Sequence, residues 1–447
     1  MNGFQLKPNM LLGFTSSAAS VDGGELNSSW QDWYRRGRTK NSSPAVGAGH
    51  WERWREDTVL MKRLGAQTCR VGVDWARIEP EFGSFDIPAI EHIKQELMLI
   101  HALGMLPVLT LHQYNNPIWF EKRGGWAVED NIRHYLRFVE VIIRSVGHIV
   151  NEYITLDSPN IAAIRGYHTG AWPPGQKSPK SAMHVMSVMA TAHIKAYQLI
   201  HRTRSSMGFE DSRVSFALAM RTLVTQNSNN PAQAAVCAVT DRFFQMDIAR
   251  AMMTGKFTGG LKNLAELTPG TYCDFIGISY LSRSTMSVGG EVERKRAPKD
   301  DMGWEIYPPG LVMCARKLYE ILPLPIYITA NGASDLNDSF RSRFIYEHLY
   351  ALCASELPIE RYYCRSLLDG FEWVSGYSAR FGLVHVDFDT MERSVKPSGN
   401  FYSRIIAEGG VSDELYNEFA AGQCYHYLSQ EQLESLRGGA KKKKPKR

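Results

Sequence analysis

Eight short apolar runs recur along these 447 residues, and that recurrence constrains the fold more than any other feature. They cover residues 10–16, 68–73, 106–111, 153–156, 214–219, 275–279, 326–329 and 362–367. They are often β-branched, as strands covered from outside by helices are. Between them, apolar residues fall at helical spacing over 90–103, 131–146 and 183–203, and residues 59–64 open a further helix. Eight strands alternating with helices predict an α/β fold, a single closed (β/α)8 TIM barrel, rather than a doubly wound sheet. The chain divides into a barrel over residues 1–407, a short C-terminal extension over 408–440 and a basic, disordered tail over 441–447. The extension is expected to be helical near 414–421 and 430–436. Gly- and Pro-rich stretches follow several strands, at 20–49, 166–178 and 295–310, where such a barrel builds its active-site face.

Several function classes drop out on composition. No stretch approaches the roughly 18 uninterrupted apolar residues of a membrane span. The first residues lack the charged and apolar regions of a signal peptide. Seven cysteines, an odd count without CxxC spacing, favour free thiols in a reducing compartment. The expected location is therefore cytoplasmic, with the basic tail leaving the nucleus open. His112, His168, His184, His193 and His201 make no HExxH or related spacing, so neither metal nor cofactor is expected. The formal net charge is +5, but residues 441–447 hold six basic side chains, so the body carries 5 − 6 = −1. Nucleic acid or an anionic surface would be engaged through that tail, if at all.

Matched segments in a fixed order give a more specific reading. Residues 70–80 read RVGVDWARIEP, and Thr110, Leu111 and His112 end a third strand. Gly124-Gly125-Trp126 follows at a short distance, residues 274–280 read DFIGISY, and residues 303–310 read GWEIYPPG. Residues 367–386 read LLDGFEWVSGYSARFGLVHV. Together they resemble the family 1 glycoside hydrolases from about residue 11 to 406. The resemblance implies a barrel that binds a carbohydrate or glycoside. It also implies retaining hydrolysis, which needs two carboxyl groups about 5–5.5 Å apart.

The resemblance places the acid/base at Ser158 and the nucleophile at Ala330, in Thr155-Leu156-Asp157-Ser158-Pro159 and Ile328-Thr329-Ala330-Asn331-Gly332. A serine hydroxyl does not supply a proton near neutrality, and alanine has no nucleophile. Other positions depart as well. Ser20 stands at a sugar-binding Gln, Asp157 at an Asn, Gln113 at a Trp, Leu281 at a Tyr and Arg365 at a Trp. Arg70, His112, Tyr280, Glu372 and Trp373 match the family pattern. Most also have a plain structural reading: Arg70 as glue for Asp157 or another carboxylate, His112 as a satisfied mouth histidine, Glu372-Trp373 as loop packing. Arg365 either favours an anionic ligand or pairs internally with Asp157, Asp369 or Glu372.

Three functions stay open. The first is a pseudoglycosidase that binds a carbohydrate, glycoside or anionic sugar derivative. The second is a carbohydrate enzyme with relocated chemistry, with Asp157 as substitute acid and His112, His168 or Glu372 in other proton-transfer roles. Adjacent strand residues face opposite ways, so Asp157 does not simply stand in for Ser158. The third is an interaction protein recruited through its basic tail.

Overall fold

The computed structural model describes residues 3–40, 42–294 and 296–427. Its centre is a ring of eight strands: β1 (Leu11–Thr15), β2 (Thr68–Gly72), β3 (Leu106–Thr110), β4 (Glu152–Asp157), β5 (Arg213–Thr225), β6 (Ile276–Ser287), β7 (Ile326–Asn331) and β8 (Ile359–Arg365). Every neighbour pair is parallel, and β8 pairs with β1 to close the ring. Helices follow the strands outside: α1 (His50–Arg63), α2 (Ile87–Ala102), α3 (Ile132–Val146), α4 (Pro179–Ser206), α5 (Asp247–Thr254), α6 (Pro308–Tyr319), α7 (Arg341–Cys353) and α8 (Pro397–Glu408). The chain is a (β/α)8 barrel, as the strand recurrence predicts.

Strand alternation explains two layers of core. Leu109 and Tyr153 point out to the helices, while Val108 and Ile154 point in and meet Ala217, Phe275, Tyr327 and Tyr363. The interior is thus filled by side chains, and Phe275 stacks on Tyr327 at 4.1 Å. No helix among the described residues is long and apolar enough to cross a membrane.

Three boundaries differ from the sequence reading. β5 and β6 run on beyond the apolar runs at 214–219 and 275–279, because Arg221–Thr225 keeps pairing with Ser282–Met286. A short strand, Gly290–Val292, turns back on the end of β6. Residues 59–64 close a helix rather than open one, since α1 begins at His50 behind a left-handed Gly49. A helix at Asp413–Phe419 follows α8, while residues 430–436 and 441–447 lie outside the described residues. The histidines of α4 bond within the protein: His193 to Thr155 Oγ1 and Tyr272 O, His201 to Asp274, and His184 to Ala127 O. Among the described residues, no group of three or more His, Cys, Asp or Glu side chains is arranged to hold a metal.

Candidate functional site

The C-terminal ends of the strands bring most of the predicted residues to one mouth. Arg70, on β2, is 2% exposed and reaches three neighbouring strands. Its Nε donates to Thr15 Oγ1 at 2.6 Å, and its Nη1 donates to Thr110 Oγ1 at 3.2 Å and Asp157 Oδ2 at 2.5 Å. Asp157 Oδ1 accepts from the Ser158 hydroxyl at 2.6 Å. Each carboxylate oxygen therefore has a hydrogen-bond partner within the protein. Ser158 adopts a left-handed backbone (φ 49°) where β4 passes into the helix Pro159–Ala163.

Opposite, at the end of β7, Ala330 is buried and offers only a methyl group. Its neighbour Asn331 is used structurally, donating to Tyr280 O at 2.9 Å and accepting from Tyr362 at 2.9 Å. Tyr280 does not join the mouth. Its hydroxyl donates to Tyr307 O at 2.8 Å and lies beside Thr222 under α6, because its side chain leaves β6 on the outer face.

Arg365, at the end of β8, donates from Nη2 to Glu372 Oε2, and its guanidinium lies 4.2 Å over the Phe381 ring. Of its expected partners it takes Glu372, so this cation is already matched. Burial pushes the Glu372 carboxyl up to about 7, with Arg365 opposing and Asp369 adding to the shift. Ser20 donates to Phe371 O at 2.8 Å and ties the loop after β1 to the loop after β8.

His112, at the end of β3, shares a hydrogen bond of 2.8 Å between Nε2 and Asn116 Oδ1. Asn116 Oδ1 also accepts from Trp126 Nε1 at 3.2 Å, and Asn116 Nδ2 donates to Glu121 at 2.6 Å. Burial lowers the His112 pKa to about 4, against the Asn116 bond and the Asp157 charge, so the ring is neutral at pH 7. His112 Nδ1 has no hydrogen-bond partner among the described residues. His168 lies apart, with its ring 5.9 Å from that of Phe243.

The residue that fills the centre is one the sequence reading passes over. Tyr114 has a left-handed backbone (φ 60°). Its hydroxyl lies near Ser158 and sits in the fields of Asp157, Arg365 and Arg70. Burial raises that hydroxyl's pKa, and the Asp157 charge adds to the effect. Its ring lies 5.0 Å from Trp172 and 4.9 Å from Trp373. Trp373 also meets Trp30 at 4.9 Å, within an aromatic group that includes Trp33 and Phe371. The space left beside Tyr114, His112, Asn116, Trp126, Tyr167 and Trp172 is a cavity of about 20 Å³, room for about one water. Asn116 and Trp172 were likewise unmarked; only the short spacing of Asn116 from His112 hints at their contact.

Comparison with known proteins places this arrangement. The model of glycosyl hydrolase family 1 matches residues 8–272 and 277–411. Beta-glucosidase A of Thermotoga maritima is 26% identical, with 92% of this chain and 100% of that protein covered. A chloroplastic galactolipid galactosyltransferase of Arabidopsis thaliana is 28% identical over 81% of this chain and 58% of its own length. Among solved structures, a beta-glycosidase from Pyrococcus horikoshii superposes with a TM-score of 0.84 at 27% identity, covering 96% of this chain and 100% of that one. A Thermotoga maritima beta-glucosidase in complex with deoxynojirimycin gives 0.82 at 26% identity, covering 92% and 100%.

Proposed function

The chain belongs to glycosyl hydrolase family 1, and from that premise we propose that it is a pseudoglycosidase, recognising a carbohydrate or glycoside without retaining two-carboxylate hydrolysis. One observation supports the reading: Ser158 and Ala330 stand where the family resemblance puts the acid/base and the nucleophile. Neither side chain can donate a proton at neutrality or form a covalent glycosyl intermediate. The nearest carboxylate, Asp157, has both oxygens engaged by Arg70 and Ser158, which argues against relocated acid chemistry there.

The charges favour a neutral ligand over an anionic one. Arg70 is paired with Asp157 and Arg365 with Glu372, so each guanidinium already has a carboxyl partner. An anion would have to break a buried pair to reach either guanidinium. His112, Glu372, Trp373 and the Trp172 ring are the groups proposed to contact a sugar, as aromatic faces and a few fixed polar groups suit such a site. The relatives' names, beta-glucosidase and beta-glycosidase, make a β-glycoside the first class to try. Seven free cysteines suit a reducing compartment such as the cytosol. Recruitment through the basic tail is a separate proposal, tested by deleting residues 441–447 and measuring partner binding.

The test of lost hydrolysis uses 2,4-dinitrophenyl β-glycosides, whose leaving group needs little acid assistance. Dinitrophenol release is expected to stay at the buffer rate without added azide or formate. A 2-deoxy-2-fluoro glycoside that traps a glycosyl-protein adduct, with steady turnover of the parent glycoside, would refute the reading.

A further inference from the structure

Tyr114 spans the place where a ligand of this mouth would sit. Its hydroxyl lies near Ser158, after β4, and in the field of Arg365, at the end of β8, while the rings of Trp172 and Trp373 lie 5.0 and 4.9 Å from its own. A hydroxyl directed at polar groups with a ring held against indoles is the contact pattern of a bound hydroxylated ring. The fit comes at a local cost, because a tyrosine at φ 60° is held in a region that favours glycine. The backbone there is pinned by Trp30 Nε1, which donates to Tyr114 O at 3.2 Å. Tyr114 as a whole is half-buried. With it in place, the remaining cavity of about 20 Å³ is far below the several hundred Å³ of a small-molecule site, about 300–1,000 Å³.

We propose that Tyr114 is a tethered stand-in for the ligand: it occupies the sugar position in the resting protein and swings out when a glycoside enters. The inference rests on the glycoside-recognition reading above and adds a gate to it. Bound ligand and inserted phenol exclude each other, so apparent affinity is lowered by the fraction of protein whose mouth is open.

The experiment titrates 4-nitrophenyl β-D-glucoside, and separately 4-nitrophenol, into the wild type, Tyr114→Gly and Tyr114→Phe by calorimetry. Glycine suits the left-handed backbone, so Tyr114→Gly removes the ring while relieving the local strain. Tyr114→Gly is expected to bind the glucoside at least tenfold more tightly than the wild type, whereas Tyr114→Phe, which keeps the ring, gains little. Equal affinities across all three proteins for both probes overturn the gate, and so does a phenylalanine variant that gains as much as the glycine one. A gain for 4-nitrophenol alone supports an occupied slot while sinking glycoside recognition. Should Tyr114→Gly fail to fold, ¹⁹F NMR of fluorotyrosine-labelled wild type, assigned with Tyr114→Phe, decides instead. The residue-114 resonance is expected to move toward the solvent-exposed shift on saturation with glucoside; an unmoved resonance with ligand bound overturns the gate.

Discussion

At the scale of single residues, the mouth is a set of satisfied pairs. Arg70 and Asp157 are each 2% exposed, so removing one partner strands a buried charge. Arg70→Met is expected to destabilise the protein by about 3–5 kcal/mol. The double variant Arg70→Met with Asp157→Asn should cost clearly less than the sum of the singles, because no charge is left behind. Urea unfolding of the four proteins reads the coupling, and strict additivity would show that the pair is not the buried unit described. This pairing was among the options legible in the sequence, as was an internal partner for Arg365. Choosing Glu372 over Asp157 or Asp369 was not, since loop geometry alone decides it. Tyr114 was invisible for a related reason: its reach depends on φ 60°, which nothing in a Gln-Tyr-Asn stretch announces.

At the scale of elements, the strands were the legible part. All six residues of β4 and of β7 are buried, and burial on both faces writes itself as an apolar run. The start of α1 was not legible, because its buried face includes His50, Asp57 and Thr58, which a search for apolar spacing skips. His50 ties α1 to α2. His50 Nδ1 meets Asp57 at 2.9 Å, and Nε2 meets Glu96 at 3.1 Å. Burial alone would lower the His50 pKa, but Glu96 and Asp57 outweigh it and raise it well above 6.5. Burial would raise the Asp57 pKa, but hydrogen bonds from His50 and Arg393 overcome it and hold it below 3.8. The signs follow from linkage. The folded state holds the His50 proton more tightly than the unfolded chain does. Its contribution is complete below pH 6.5 and fades as pH rises through the folded value. Asp57 contributes above 3.8 and loses that contribution as pH falls through its lowered value. Replacing His50 by Gln should therefore lower the melting temperature most near about pH 5.5 and much less near about pH 9. A gap that stays constant or widens with pH would mean that the imidazole is neutral in the fold.

At the scale of the whole molecule, the barrel and the chemistry it carries are separable. The ring of strands is held by interior and outer layers of side chains, of which Trp126 and Tyr167 also line the cavity at the mouth. That is why a chain 27% identical to a beta-glycosidase still superposes on it with a TM-score of 0.84. Fold therefore says little about turnover, and on the proposed reading two introduced carboxylates would say little more. Ser158→Glu with Ala330→Glu would add two carboxyl groups to a mouth whose two guanidiniums already have carboxyl partners and where the Tyr114 ring lies against Trp172 and Trp373. One new carboxylate would adjoin Asp157, and like charges at close range raise a pKa and disfavour the ionised form. The double variant is expected to hydrolyse dinitrophenyl β-glucoside at no more than about tenfold the wild-type rate, although a positioned acid or base contributes about 10²–10⁴-fold when the substrate is seated. Adding Tyr114→Gly should raise that rate by at least about another tenfold by admitting the substrate. Full turnover in the double variant alone would place the whole deficit at two side chains and leave Tyr114 as ordinary packing. Activity that appears only when the ring is also removed would mean that loss of the carboxylates and closure of the mouth belong to one altered design.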